Sequence, residues 1–341
     1  MAQIGLWRNN LFLLLTFSFF IFSCEDDKKQ EKQQTPETEK PVKTAFIALE
    51  KPNFSEDSAY LYVQQQVDFG PRFPNNEAHG KCAIFLKNKL ASFGFSTQIQ
   101  EGKATTFNNK NITIKNIIGT YNPTATKRIL LFAHWDTRPF ADHDDKDRTK
   151  PILGANDGAS GVGILLEVAR QINITQPEIG IDIIFFDAED YGQPSSLMSP
   201  SAAETWCLGS QYWARNPHIP GYKADFGILL DMVGGPNPQF TKESISMRYA
   251  PNIVRKVWDV AKRLGHQHVF VDKETYFVGS DDHQFVNEIA NIPSIDIIHF
   301  EESTGGFHQS WHTHDDNMDV IEKTTLKIVG ETILGVIYNE K

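Results

Sequence analysis

Four compact apolar runs constrain this chain more than any other feature of its 341 residues. They are RILLFAHW (128–135), IDIIFFDA (181–188), FGILLDMV (226–233) and IPSIDIIHF (292–300). Runs of this length without strict alternation suit strands buried on both faces. Helical spacing of apolar residues marks the stretches between and after them: 158–172, 250–265, 281–290 and an amphipathic closing helix at 321–340. Upstream, 55–70 and 77–95 also carry helical spacing, and Gly70-Pro71 stops the first. STQIQ (96–100) and ITIKNIIGTY (112–121) are rich in β-branched residues and straddle a loop, as paired strands do. Alternating strand and helix after residue 128 predicts an α/β fold, a three-layer sandwich with a mostly parallel central sheet and helices on both faces. No internal repeat interrupts it, so residues 46–341 read as one domain.

In such a sheet, ligands bind outside the carboxyl ends of the strands. RILLFA is followed by His134-Trp135-Asp136, and the next loop carries GANDG (154–158) with Asp157. IDIIFF is followed by Asp187-Ala188-Glu189-Asp190, and FGILL by Asp231. Ser280-Asp281-Asp282-His283 and Trp311-His312-Thr313-His314 come later. Each residue alone has an ordinary explanation. His134 suits a core histidine, Asp157 a helix cap, Glu189 and Asp190 a solvated loop, and Asp231 a turn. Together they favour a metal centre, because adjacent strand ends bring them to one edge. Crowded carboxylates repel unless a cation neutralises them. Zinc held by carboxylate and imidazole with an open position is the economical solution.

Composition and competing motifs narrow the choice. A net charge of -10 argues against a non-specific nucleic-acid binder, which needs a basic face. Three cysteines are too few for a disulfide scaffold or a four-thiolate zinc site. There is no His-Glu-x-x-His pair, no Gly-Lys-Ser/Thr phosphate loop and no Gly-x-Ser-x-Gly elbow. Asp142, Asp144, Asp145 and Asp147 lack the glycine and terminal glutamate of a calcium loop, so they read as a solvated loop.

The first 45 residues read as address and tether. LFLLLTFSFFIFS (11–23) is shorter than the roughly 20 apolar residues of a membrane span and fits the apolar region of an export signal. Ile21-Phe22-Ser23-Cys24 resembles a bacterial lipoprotein signal, with 1–23 removed and Cys24 lipidated. Residues 24–45 are almost free of apolar side chains and form a flexible tether. Export and lipid anchoring in a Gram-negative envelope, periplasmic or at the outer membrane, follow as expectations.

His134-x-Asp136, Asp157 before a Gly-rich helix start, Glu189-Asp190, Asp231 and a late His312 occur in the order of the zinc-dependent aminopeptidase superfamily. Within it, GANDGASG, IIFFDAED, LLDMVGGPNP (229–238), SDDHQF (280–285) and WHTHDDN (311–317) resemble the glutaminyl-peptide cyclotransferases. HWDTRP (134–139) and WCLGSQYWA (206–214) look like the bacterial branch closest to the animal enzymes. The resemblance implies one zinc per chain on Asp157, Asp190 and His312. It implies Glu189 as general acid and base, with Asp231 and Asp282 in an acidic network beside it. Trp206, Phe307 and Trp311 are implied as the apolar substrate wall. Asp190 stands where the animal enzymes carry Glu, a shorter arm with the same oxygen ligand.

The implied reaction turns the N-terminal glutamine of peptides or proteins into pyroglutamate and releases ammonia. Two alternatives stay open. His134, Asp157, Asp190, Asp231 and His312 are also the ligands of a two-zinc aminopeptidase, with His134 and Asp136 supplying a second metal site or supporting one. A non-catalytic binding lipoprotein on the same fold is the third reading. Pairing of Cys82 with Cys207 is undetermined by spacing.

Overall fold

The computed structural model describes residues 49, 51–197, 202–275, 279–300 and 306–340, all within one unit, Phe46–Lys341. The expected export signal (1–23), the expected lipidation site Cys24 and the expected tether (24–45) lie outside the described residues. In chain order, helices α1 (Glu56–Val67) and α2 (Glu77–Ser92) precede strands β1 (Ser96–Thr105), β2 (Asn111–Tyr121) and β3 (Arg128–His134). Helix α3 (Ala159–Thr175), strand β4 (Gly180–Phe186), helix α4 (Leu208–Arg215) and strand β5 (Phe226–Asp231) follow. Then come β6 (Phe240–Glu243), α5 (Ser244–Tyr249), α6 (Pro251–Arg263) and β7 (Phe270–Thr275). Helix α7 (Asp282–Glu288), β8 (Ser294–Ile298) and α8 (Lys323–Tyr338) close the fold.

The four apolar runs supply β3, β4, β5 and β8, and every residue of those strands is buried. The sheet order is β1-β2-β4-β3-β5-β8. Strands β4, β3, β5 and β8 run parallel, and β1 and β2 add an antiparallel edge. Side chains alternate across a strand, which here builds two cores. Ile129, Leu131 and Ala133 of β3 pack with α1, α2, α3, α6 and α8 on one face. Leu130 and Phe132 pack with Phe186, Trp213 of α4 and Val286 of α7 on the other. This is the expected three-layer arrangement.

Four elements went unread in the sequence: α4, α5, β6 and β7. Strands β6 and β7 form a separate two-stranded parallel sheet. FTKE is four residues and SISMRY six, too short for periodicity to show. Because β3, β4, β5 and β8 are parallel, their carboxyl ends share one edge. His134, the 187–190 turn, Asp231 and the start of α3 meet there.

Candidate active site

Local packing brings α3 to that edge. A Cβ on Gly158 would lie 2.4 Å from His134 Nε2, and one on Gly161 would lie 2.1 Å from the Leu230 carbonyl oxygen. Glycine at both positions lets the helix start press against β3 and β5. The N-cap of α3 is Gly158, with no side-chain cap hydrogen bond. Asp157 is therefore not spent as a helix cap, and its carboxylate turns to the histidines.

Two other carboxylates set the loops. Asp316 accepts the backbone N–H groups of Asn156 (2.8 Å) and Asp157 (3.1 Å). Asp136 accepts those of Glu189 (3.0 Å) and Asp190 (3.2 Å). Asp136 was expected at a second metal or in support of one; it is fully buried, does not line the cavity, and supports.

Of the five metal-capable trios among the described residues, two share Asp157. In the first, His312 Nε2 lies 3.0 Å from Asp190 Oδ1 and 3.6 Å from Asp157 Oδ2. In the second, His134 Nε2 lies 2.9 Å from Asp157 Oδ1 and 3.1 Å from Asp231 Oδ1. Donors about 2.0–2.2 Å from a tetrahedral zinc sit roughly 3.3 Å apart, so either spacing suits the ion. The hydrogen bonding differs. Both Asp190 carboxylate oxygens are buried and have no hydrogen-bond partner among the described residues, whereas His134 is hydrogen-bonded to Asp231. A buried carboxylate with neither oxygen hydrogen-bonded is costly, and a cation at the first trio would satisfy it. The two-oxygen, one-nitrogen donor set fits zinc.

A cavity of about 310 Å³ adjoins both trios. Its walls include Asp157, Glu189, Asp190, Asp231, Asp281, Asp296, His283 and His312, with Trp206, Phe307, Trp311, Met232 and Ile298. All three expected aromatics thus face it. Phe307 lies 4.6 Å from Trp311, which stacks on His312 at 3.8 Å. Trp206 lies parallel to His312 at 5.9 Å.

Glu189 is buried in this cavity wall, not a solvated loop charge. Burial raises its pKa well above the ordinary value, and Asp190, Asp281 and Asp282 raise it further against the opposing pull of His134. Burial likewise pushes Asp231 up to about 7, with hydrogen bonding to His134 opposing. Of the Asp281–Asp282 pair the wall residue is Asp281; Asp282 is fully buried, with neither oxygen bonded among the described residues. The expectation placed Asp282 in the network because it precedes His283. Asp281, as N-cap of α7, is the one that turns to the cavity.

Cys82 and Cys207 are both free and buried. The Cys207 thiol donates to Glu189 Oε1 at 3.4 Å, and the Cys207 backbone N–H donates to the Glu189 carbonyl. Residue pattern alone does not reveal this contact, because α4 went unread.

Asp142 corrects a second expectation. Asp145 and Asp147 are exposed, as a solvated loop requires, but Asp142 and Asp144 are half-buried. Asp142 accepts from Arg138 Nε (2.6 Å) and its terminal nitrogen (2.8 Å), and lies 3.4 Å from His312 Nδ1. Burial raises the Asp142 pKa, but the hydrogen bonds from Arg138, with His312 close beside, outweigh it and hold the carboxyl below the usual range.

The profile of peptidase family M28 matches residues 116–337. A glutaminyl-peptide cyclotransferase from Bos taurus is 28% identical over 246 residues, covering 62% of this chain and 62% of that protein. The matched part thus spans a little under two thirds of that relative. A crystal structure of Bacteroides thetaiotaomicron glutaminyl cyclase bound to N-acetylhistamine is 54% identical, with a TM-score of 0.83. It covers 86% of this chain and all of that one. A structure described as a leucine aminopeptidase precursor from the same organism is also 54% identical over 86% of this chain and all of that one, with a TM-score of 0.82. The chain belongs to peptidase family M28, in the zinc exopeptidase-like group that includes the bacterial glutaminyl cyclases.

Proposed function

We propose that this protein is a glutaminyl-peptide cyclotransferase, converting N-terminal glutamine of peptides and proteins to pyroglutamate with release of ammonia. One observation carries the reading: an unsatisfied three-donor trio sits beside a shielded glutamic acid in a cavity walled by aromatics. One zinc per chain on Asp157, Asp190 and His312 would polarise the substrate's γ-carboxamide and stabilise oxyanion charge.

The protein's own groups supply the rest. Trp206, Phe307 and Trp311 hold the glutamine side chain folded back, so that its α-amine meets its own γ-carbon. Tethering supplies much of the rate advantage. As the new C–N bond forms, Glu189 takes a proton from the attacking nitrogen. The bond to the amide nitrogen then breaks, and Glu189 returns the proton to departing ammonia. A carboxyl performs both transfers well when its pKa is raised, the direction burial imposes here. Asp281 and Asp282 help maintain that shift, and Asp231 lines the same cavity. The aromatic walls exclude water and so favour the internal amine over hydrolysis.

Mass spectrometry on a peptide beginning with glutamine tests the reading. Loss of one ammonia from an otherwise intact peptide is expected. Release of the first residue would instead identify the two-metal aminopeptidase, which the second trio, His134–Asp157–Asp231, favours. An unchanged peptide in the presence of zinc would favour a binding module.

From the sequence alone we also infer export and lipidation at Cys24. Cys24→Ala is expected to move the protein from the detergent phase to the aqueous phase; unchanged partitioning contradicts the anchor.

A further inference from the structure

Arg138 and Asp142 lie behind the first trio, outside the reaction just described. Arg138 is fully buried and spends its guanidinium on one small neighbourhood. Two nitrogens grip the Asp142 carboxylate at 2.6 and 2.8 Å. The third donates to the backbone carbonyls of Asp190 (2.9 Å) and Gly192 (3.3 Å) and lies 3.6 Å from Asp190 Oδ1. The guanidinium carbon also sits 4.6 Å from the ring centre of Trp206. Asp142 in turn lies 3.4 Å from His312 Nδ1, a buried nitrogen with no ordinary hydrogen bond among the described residues. One ion pair therefore touches both Asp190 and His312.

We propose that Arg138 and Asp142 form a brace that positions Asp190 and His312 for metal binding. This rests on the reading that the first trio holds the metal. A histidine that ligates through Nε2 needs its proton on Nδ1, and a carboxylate facing Nδ1 selects that tautomer and fixes the ring plane. The bidentate grip of Arg138 keeps Asp142 from turning to solvent. The same guanidinium holds the Asp190 backbone, so both ligands are set by one rigid pair. Neither residue touches substrate; both act through the ligands.

Zinc affinity by chelator competition and the visible spectrum of the cobalt-substituted protein test the brace. Four variants are compared with the natural chain: Asp142→Asn, Asp142→Ala, the double change Arg138→Met with Asp142→Leu, and His312→Ala. Removing Asp142 alone leaves a buried guanidinium unpaired and can impair folding; the double change removes both charges together. The brace predicts zinc binding weaker by about 10- to 100-fold in Asp142→Ala and the double variant, with an altered cobalt spectrum. Asp142→Asn keeps an acceptor for Nδ1 and should lose only several-fold. A folded double variant with unchanged zinc affinity and cobalt spectrum overturns the brace. His312→Ala that still binds zinc normally overturns instead the placement of the metal on the first trio.

Discussion

The trio Asp157–Asp190–His312 and the trio His134–Asp157–Asp231 share a carboxylate and have similar spacings, yet their polar atoms are differently occupied. In the second, His134 Nε2 is hydrogen-bonded to Asp231 and lies 2.9 Å from Asp157, and of the trio's buried polar atoms His134 Nδ1 alone lacks a partner among the described residues. In the first, Asp190 is 1% exposed and neither of its oxygens is hydrogen-bonded among the described residues, although His312 Nε2 lies 3.0 Å from Oδ1. Spacing alone would allow two ions. Satisfaction of polar groups separates a site that needs a cation from one that stands without it.

The largest effects should come from breaking the first trio. Asp190→Ala or His312→Ala is expected to weaken zinc binding by roughly a thousand-fold or more and to abolish turnover, read by chelator competition and ammonia release. Glu189→Gln should keep its zinc and lose about 10²- to 10⁴-fold in kcat; near-normal turnover contradicts the proton-transfer role. Asp231→Asn should leave zinc affinity close to normal while lowering kcat by about ten-fold or more, since it removes a raised carboxyl from the network around Glu189. A loss of zinc as large as that of Asp190→Ala would make the two trios equivalent.

Acidity gives a further contrast. Burial, then the charge of Asp157, pushes Asp190 up to about 6 in the metal-free protein; Asp231 stands at about 7. Both exceed the value near 3.9 of an unfolded chain, so the fold holds protons that the unfolded chain releases. Their stabilising contribution is fully present below about pH 4 and lost as pH rises through 6 to 7. The melting temperature of chelator-treated protein should therefore fall from pH 5 to 8. Zinc should remove the Asp190 part of that slope and Asp231→Asn the Asp231 part, while the raised carboxyls of Glu189 and Asp316 keep the rest. A flat profile without metal contradicts the raised carboxyls.

The smallest effect is expected at Asp136. Asp136→Asn leaves one of the two backbone N–H groups of Glu189 and Asp190 without its acceptor, costing about 1–3 kcal/mol of stability, measurable by denaturant unfolding.

Much of the site was legible in the sequence, though not the contrast between its two trios. Strands buried on both faces advertise themselves as unbroken apolar runs, and parallel order places their ends together. His134, Asp157, Glu189, Asp190 and Asp231 could thus be gathered without coordinates. Which carboxylate faces the cavity was not legible. Asp281 and Asp282 are neighbours, and only the cap geometry of α7 turns the first toward Glu189 and buries the second. Asp136 and Asp157 look alike as strand-end acids, yet one is spent on backbone N–H groups. Asp142 was hidden by its acidic neighbours, because a run of aspartates looks solvated until a buried arginine is seen to grip one of them. Cys207 was hidden because its contact depends on where α4 starts, and that helix is too short for its period to show.

Titrating metal-free protein with zinc, while following ammonia release from a peptide with N-terminal glutamine, is the most direct test. Activity should rise linearly and saturate at one zinc per chain, with the second trio still held by its own hydrogen bonds. Saturation only at two zinc ions per chain, or release of free glutamine in place of ammonia, would contradict a one-metal cyclase.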